Sequence, residues 1–237
     1  MKFFRSFIMT CQETLNGWGK IMNLPLLNKT LSAINPSNIC PKKENVFNAF
    51  KLCSLSDCIA VFLGQDPYPQ KGVATGILFG NSAETREKDL SPSLKVIKES
   101  AIDFTKTHNY PIEFDNTLES WAKQGILMIN SALTVETEKI GSHTNLWRPF
   151  ISQLLKSLSE YQTGIVYVLF GKQAQTFEPY ISKVNNLILK ENHPAYYARV
   201  NQRMPSDIFM EVNRYLKGQY NKEIVWYTDY NNAEQKD

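Results

Sequence analysis

The sequence contains no run approaching the ~20 consecutive apolar residues that a membrane-spanning helix needs, which removes the helical membrane classes from consideration. It also lacks a strong charge of one sign. The 26 Lys and Arg residues face 23 Asp and Glu, for a net +3, an excess too small to establish a polyanionic partner by itself. Cysteine is scarce. Cys11, Cys40, Cys53 and Cys58 form no C-x-x-C pair and have no histidine close by in sequence, so their spacing suits neither a metal or iron-sulfur site nor a disulfide framework. They read as reduced, partly buried thiols. A glycine-rich phosphate loop is missing as well: "GQDPYP" (Gly64–Pro69) puts prolines where G-x-G-x-x-G needs glycines, which excludes the usual dinucleotide cofactor site. There is no internal repeat and no low-complexity tract.

The opening "MKFFRSFIMTCQETLNGWGK" has an early Lys and Arg, but its apolar part is too short and too interrupted for a secretory signal. It reads as an amphipathic first helix of a soluble intracellular protein. A cytoplasmic location is expected, and the pattern does not separate that from a nuclear or viral setting.

A chain of 237 residues is long enough to bury one sizeable core and fits a single domain better than two small ones. The expected domain covers residues 1–230, followed by a polar tail at 231–237. Charge is unevenly placed: between Lys139 and Lys217 there are ten basic and five acidic residues, which favours that half as the side a polyanion would meet.

Four apolar runs have strand length and β-rich composition: Ile59–Leu63, Ile126–Ile129, Gly164–Phe170 and Asn186–Lys190. They show no polar alternation, as expected of strands covered on both faces. Between them lie segments with helical spacing. "SPSLKVIKESAIDFTKTH" opens with Ser91 as cap and Pro92 in the first turn. "NTLESWAKQG" offers Asn116 as cap, Glu119 three residues on and Gly125 as the stop. "RPFISQLLKSLSEY" and "PSDIFMEVNRYLKG" each begin near a proline, and the second ends at Gly218. Helices alternating with buried strands give an α/β class, specifically a three-layer α/β/α sandwich around a central four-stranded parallel twisted sheet. "EIVWYTDY" reads equally well as an extra short strand or as a packed tail.

In an open parallel sheet, ligands sit beyond the carboxyl ends of the strands. The first run delivers Gln65, Asp66, Pro67 and Tyr68 there; the second delivers Asn130 and Ser131; the third Gly171, Lys172 and Gln173; the fourth Glu191, Asn192, His193 and Pro194. Each of these has an ordinary structural explanation alone: a turn-forming or capping Asp, a turn amide, a loop histidine. A carboxylate, an amide and an imidazole on one rim together make a candidate active site.

The ordered series "GQDPYP", "GILFGNS", "LSPSL", "GILMINSALTV", "FGKQAQ" and "ENHPAYYAR", spread over residues 59–200, resembles that of the family-1 uracil-DNA glycosylases. The resemblance implies hydrolysis of the N-glycosidic bond of uracil in DNA, as in base excision repair, by a monomer without metal or cofactor. By the same resemblance Asp66 is the catalytic carboxylate, orienting water and stabilising a cationic sugar. His193 donates to uracil O2 as the base leaves, and Asn130 reads the O4 and N3–H edge. Tyr68 blocks a C5 methyl, Phe79 supplies a stacking face, and the Gln65 backbone helps bind a uracil oxygen. Ser93, Lys172, Gln173 and Arg199 are implied DNA-backbone contacts, and Tyr197 occupies the position of an intercalating side chain.

The series also departs from the family pattern. Pro69 stands where the family has a histidine, Ala195 where it has a serine, and Tyr196-Tyr197 where it has Pro-Leu; "SHTNLWRPF" is shorter than its counterpart. An alternative is therefore a same-fold DNA-tethering or interaction subunit with little activity. A third is a small-molecule hydrolase or nucleotide-binding module on a flavodoxin-like sheet. The sequence leaves protein inhibitors, replication partners and strand preference undefined.

Overall fold

The four apolar runs fold as four parallel strands: the first three are buried almost throughout, as continuous apolar runs require, while the fourth forms a half-buried edge strand. The protein is represented by a computed structural model that describes residues 15–102 and 111–229. Its strands in chain order are β1 (Ile39–Cys40), β2 (Ala60–Gly64), β3 (Ile112–Glu113), β4 (Ile126–Asn130), β5 (Val135–Glu136), β6 (Val166–Phe170), β7 (Leu187–Glu191) and β8 (Thr228–Asp229). The α-helices are α1 (Leu24–Ser32), α2 (Asn48–Leu52), α3 (Pro92–Ala101), α4 (Glu119–Lys123), α5 (Thr144–Tyr161), α6 (Gly171–Gln175), α7 (Pro194–Val200) and α8 (Asp207–Tyr220). Among the described residues no helix is long and apolar enough to cross a membrane.

The central sheet has the order β4-β2-β6-β7, with every neighbouring pair parallel. Alternation along the strands divides their side chains between two cores. Val61, Leu63, Leu127, Ile129, Tyr167 and Leu169 pack with α1, α2 and α5. Phe62, Met128, Val168 and Phe170 face the other way, against α3, α4 and α8. At about 1.5–3 kcal/mol for each large apolar side chain removed from water, these two layers supply the main driving force for folding.

"EIVWYTDY" serves in both of the capacities open to it. Thr228–Asp229 pairs antiparallel with Ile112–Glu113, while Trp226 packs on Trp121 at 4.9 Å between ring centres and on Phe209 at 4.9 Å.

Several helix boundaries differ from the sequence expectation. The helix opening at Pro92 ends at Ala101, where Ile102 turns to extended backbone; residues 103–108 of that segment fall outside the described ones. Asp115, not Asn116, caps α4: its carboxylate accepts from Thr117 N at 2.9 Å and from Ser120 N at 2.8 Å. The helix expected from Arg148 begins at Thr144, with Pro149 in its second turn. Gly218 lies inside α8, which stops instead at left-handed Asn221. Most of the expected first helix, the thiol of Cys11 and the tail at 231–237 also lie outside the described residues; Cys40, Cys53 and Cys58 are buried free thiols.

Two glycines bring the strand ends into close range. A Cβ on Gly64 would stand 2.8 Å from Asn130 Oδ1, and one on Gly171 would stand 2.9 Å from His193 Cβ. Gly171 also has φ +83, a left-handed conformation that costs a side-chain-bearing residue roughly 1–2 kcal/mol.

Candidate active site

Because all four central strands run the same way, the residues just past each carboxyl end emerge on one edge. Asn130 closes β4, paired with Gly64 at the end of β2; Gln65 and Asp66 come directly after β2, and His193 comes two residues after β7. These groups line one cavity of about 680 Å³, together with Tyr68, Phe79, Ser93 and Arg199.

Asp66 projects into the cavity and is anchored from a distant turn: Gly141 N donates to its Oδ2 at 2.6 Å. Burial raises its pKa, and the Gly141 N–H opposes that rise by stabilising the charged form. It is no helix cap. The turn that carries Gly141 is itself held at both ends. Glu138 N donates to the Pro69 carbonyl at 2.9 Å. Past the turn, Trp147 Nε1 donates to Thr134 Oγ1 at 2.7 Å, and Thr134 Oγ1 shares a second hydrogen bond with His143 Nδ1 at 2.9 Å. His143 is buried, and desolvation lowers its pKa, so it sits neutral at the start of α5.

His193 is the N-cap of α7. Its Nδ1 accepts from Ala195 N at 3.2 Å, which places the single imidazole proton on Nε2. Burial, and secondarily the positive charge of Arg199, hold its pKa down to about 4. The group is therefore a neutral N–H donor at physiological pH. The proton state that sequence leaves open is set by this one backbone contact and the surrounding desolvation.

Tyr68 is fixed along its whole length. Pro67 and Pro69 restrict its backbone. Its hydroxyl donates to the Phe79 carbonyl at 3.1 Å and accepts from Ser91 Oγ at 2.6 Å, and Ser91 Oγ also lies 2.9 Å from Asn81 Oδ1. Burial pushes the phenol up to about 12, so it remains protonated. The ring thus forms a rigid wall whose outer part borders the cavity.

Phe79 has φ +63, a strained conformation for a bulky residue. It sets the ring edge-to-face with Phe170 at 5.3 Å and with His193 at 5.5 Å. The Gln65 carbonyl accepts from Ser131 Oγ at 2.8 Å and from Ala132 N at 3.0 Å, which locks the backbone between Asp66 and Asn130. Among the described residues the Asn130 side-chain amide has no hydrogen-bond partner, and it lines the cavity.

The implied DNA contacts separate into two groups. Arg199 is exposed at the cavity rim. Lys172 is exposed and Gln173 half-buried on α6, outside the residues that line the cavity. Ser93, expected in a phosphate-contacting loop, is 4% exposed in the first turn of the helix that starts at Pro92 and lines the cavity wall.

Tyr197 is a correction. It is 8% exposed, and its hydroxyl donates to Glu191 Oε1 at 2.6 Å. Consecutive residues on a helix point about 100° apart, so burying Tyr197 against α3 turns Tyr196 to solvent, at 42% exposure. Sequence reasoning also missed Gly141, Ser91, Asn81 and His143. The Asn81 and Ser91 pair carries no periodic signal, and a backbone donor such as Gly141 N leaves no trace in residue type.

Comparison with known proteins agrees with this architecture. The family model of the uracil DNA glycosylase superfamily matches residues 50–217. Uracil-DNA glycosylase of Buchnera aphidicola subsp. Acyrthosiphon pisum (strain APS) is 36% identical over 191 residues, 80% of this chain and 84% of that protein. The protein of the same name from Fusobacterium nucleatum is 35% identical over 190 residues, 79% of this chain and 81% of its own. Among solved structures, mimivirus uracil-DNA glycosylase superposes with a TM-score of 0.70 at 23% identity, covering 92% of each chain. A mimivirus variant crystallised in complex with UGI superposes with a TM-score of 0.71 at 24% identity, covering 94% of this chain and 87% of that one. With a family model spanning most of its length and relatives above one-third identity, this chain belongs to the uracil DNA glycosylase superfamily.

Proposed function

We propose that this chain excises uracil from DNA by hydrolysing the bond between N1 of the base and C1′ of deoxyribose, with Asp66, His193 and Asn130 as the reacting and reading groups. One observation carries the reading: a carboxylate, a neutral imidazole with its proton on Nε2 and an unpartnered amide border one cavity from three separate strand ends.

The chemistry assigns the roles. As the C1′–N1 bond breaks, the bonding pair leaves with the base and negative charge develops on uracil O2. The His193 Nε2–H stabilises that charge without transferring its proton, because a donor already in place costs no reorganisation. Asp66, ionised, stabilises the cationic sugar and orients the attacking water, whose oxygen bonds to C1′. Asn130 donates to O4 and accepts from N3–H. Cytosine presents the opposite pattern at those two atoms, and a hydrogen-bonded site discriminates against such a mismatch by roughly 10⁴–10⁵. Tyr68 excludes thymine by a clash, which works only because its ring is pinned at both ends.

Tyr196 fills the gap left in the base stack from the rim of the cavity, and Arg199 contacts a neighbouring phosphate. A same-fold tether would need neither a buried carboxylate nor a tautomer-fixed imidazole, and nothing in the geometry favours it.

Asp66→Asn is expected to lower uracil excision by roughly 10²–10⁴, measured as alkali-labile strand scission. The same variant should melt at a higher temperature than the wild type at neutral pH, since it removes a carboxylate whose ionisation is opposed by burial. Unchanged excision would remove Asp66 from the mechanism.

For His193 the folded pKa of about 4 lies below the ordinary 6.5. Its contribution to stability is therefore fully present above pH 6.5 and is lost as pH falls toward 4, because the unfolded chain takes up the proton first. Urea denaturation from pH 7 to pH 4 should show a drop that His193→Asn flattens. An identical drop in the variant would contradict the neutral imidazole.

Tyr68→Ala should begin to excise thymine from mismatched duplexes; strict uracil selectivity in that variant would sink the steric account. Tyr196→Ala should reduce excision from duplex more than from single-stranded DNA with little effect on stability. Tyr197→Ala should instead cost about 3 kcal/mol of folding stability, read from denaturant midpoints. The reverse assignment of effects would restore Tyr197 as the inserting side chain.

A further inference from the structure

A second concavity of about 440 Å³ is lined by residues that neighbour, along the chain, those lining the catalytic cavity. Its walls include Lys42, Lys43 and Lys71, with Asn38, Thr137 and Glu44 beside them. Lys42 and Lys71 are exposed, and neither has a carboxylate partner among the described residues. Lys42 and Lys71 set two ammonium groups against the one Glu44 carboxylate, which gives the concavity a net positive charge with polar amide and hydroxyl groups between.

The placement is built, not incidental. β1 pairs with β5, setting Ile39 opposite Glu136 and Cys40 opposite Val135. The Pro69 carbonyl then receives hydrogen bonds from both sides, from Cys40 Sγ at 3.3 Å and from Glu138 N at 2.9 Å. Thr137 N closes the ring onto the Asn38 carbonyl at 3.3 Å. Lys42 lies two residues beyond Cys40 and Lys71 two beyond Pro69, so the knot that holds Pro69 also fixes where both lysines emerge. The two cavities are continuous along the chain: Val46 and Gln70 line the catalytic one, Glu44 and Lys71 the other.

We propose that this lysine-lined groove carries the sugar-phosphate backbone of the DNA strand on one flank of the flipped nucleotide. The inference rests on the uracil-excision reading for the identity of the polyanion. A strand entering the catalytic cavity must leave it, and the groove offers a cationic path beginning next along the chain from Gln70, which lines that cavity. Flexible ammonium groups suit it, since phosphates need charge and no base-specific geometry.

The test measures binding and catalysis separately on the full chain. Binding of uracil-free oligonucleotides is followed against salt concentration for the wild type, Lys42→Gln, Lys71→Gln and the double variant. Each substitution should reduce the slope of log Kd against log salt by about 0.7 on single-stranded DNA and about 0.9 on duplex. Lys156→Gln on α5, away from both cavities, should leave the slope unchanged. On uracil-containing oligonucleotides the double variant should raise KM several-fold with kcat unaltered, and inorganic phosphate should not compete. Slopes equal to the wild type's, a matching loss in Lys156→Gln, or a fall in kcat alone would overturn the groove. Absence of excision by the wild type would overturn the catalytic reading instead, and the uracil-free slopes would still decide the groove.

Discussion

The site depends on parallel register. Side chains on a strand alternate between faces, so a slip of one residue between β2 and β4 would exchange the two cores and carry Asn130 away from Asp66. The pairing of Gly64 with Asn130 fixes that register at the place where it matters chemically. The glycine is needed there because any side chain would strike Asn130 Oδ1 and Leu78. Two apolar layers, each anchored by fully buried aromatic residues, resist the slip: Phe62, Phe170 and Trp121 on one face, Phe150, Trp147 and Tyr167 on the other. The energy that holds the catalytic groups together is thus spread over the sheet and is not supplied by contacts among those groups.

Desolvation then acts on three groups of the cavity, in the direction that each group's charge dictates. It raises Asp66, lowers His193 and raises Tyr68. For Tyr68 and His193 the outcome is a neutral donor. For Asp66 the same burial works against the ionised form that catalysis requires, and the Gly141 N–H provides the counterweight. The carboxylate is held from 75 residues away and the phenol from 23. On the proposed mechanism the turn before α5 thus takes part, although it adds no side chain to the cavity's reacting groups.

The fold was largely legible because buried strands produce continuous apolar runs, and the four runs starting at residues 59, 126, 164 and 186 match β2, β4, β6 and β7 within two residues. The rim was legible for the same reason, since residues just past the end of a parallel strand must emerge on one edge. Caps and short-helix phases were not. Asp115 displaces Asn116 as a cap because its carboxylate reaches two backbone donors at once. Tyr196 and Tyr197 are identical in type, so composition cannot say which one faces the core; the answer comes from the way α7 lies against α3 and from the acceptor offered by Glu191.

On the proposed reading, the groups that choose the base are separated from those that hold the polymer. Asn130, Tyr68 and His193 sit on strand ends or between prolines; His193 is oriented by a backbone donor and Tyr68 by a buried hydroxyl and a carbonyl, while Asn130 is placed by the register of β2 and β4. Tyr196, Arg199, Lys42 and Lys71 lie on short helices and turns at the surface, where a side chain can move without disturbing a core. Physical chemistry favours this division. Discrimination between pyrimidines rests on a hydrogen-bond mismatch or a clash, and either is lost if a wall yields by an ångström. Attraction to phosphate decays gently with distance and tolerates mobile charges. The departure at Tyr196 falls on the tolerant side of that line, whereas Pro69 and Tyr197 are themselves braced, by Cys40 and Glu138 and by Glu191, so the chain departs from the family pattern at these positions and still keeps an intact pocket for the base.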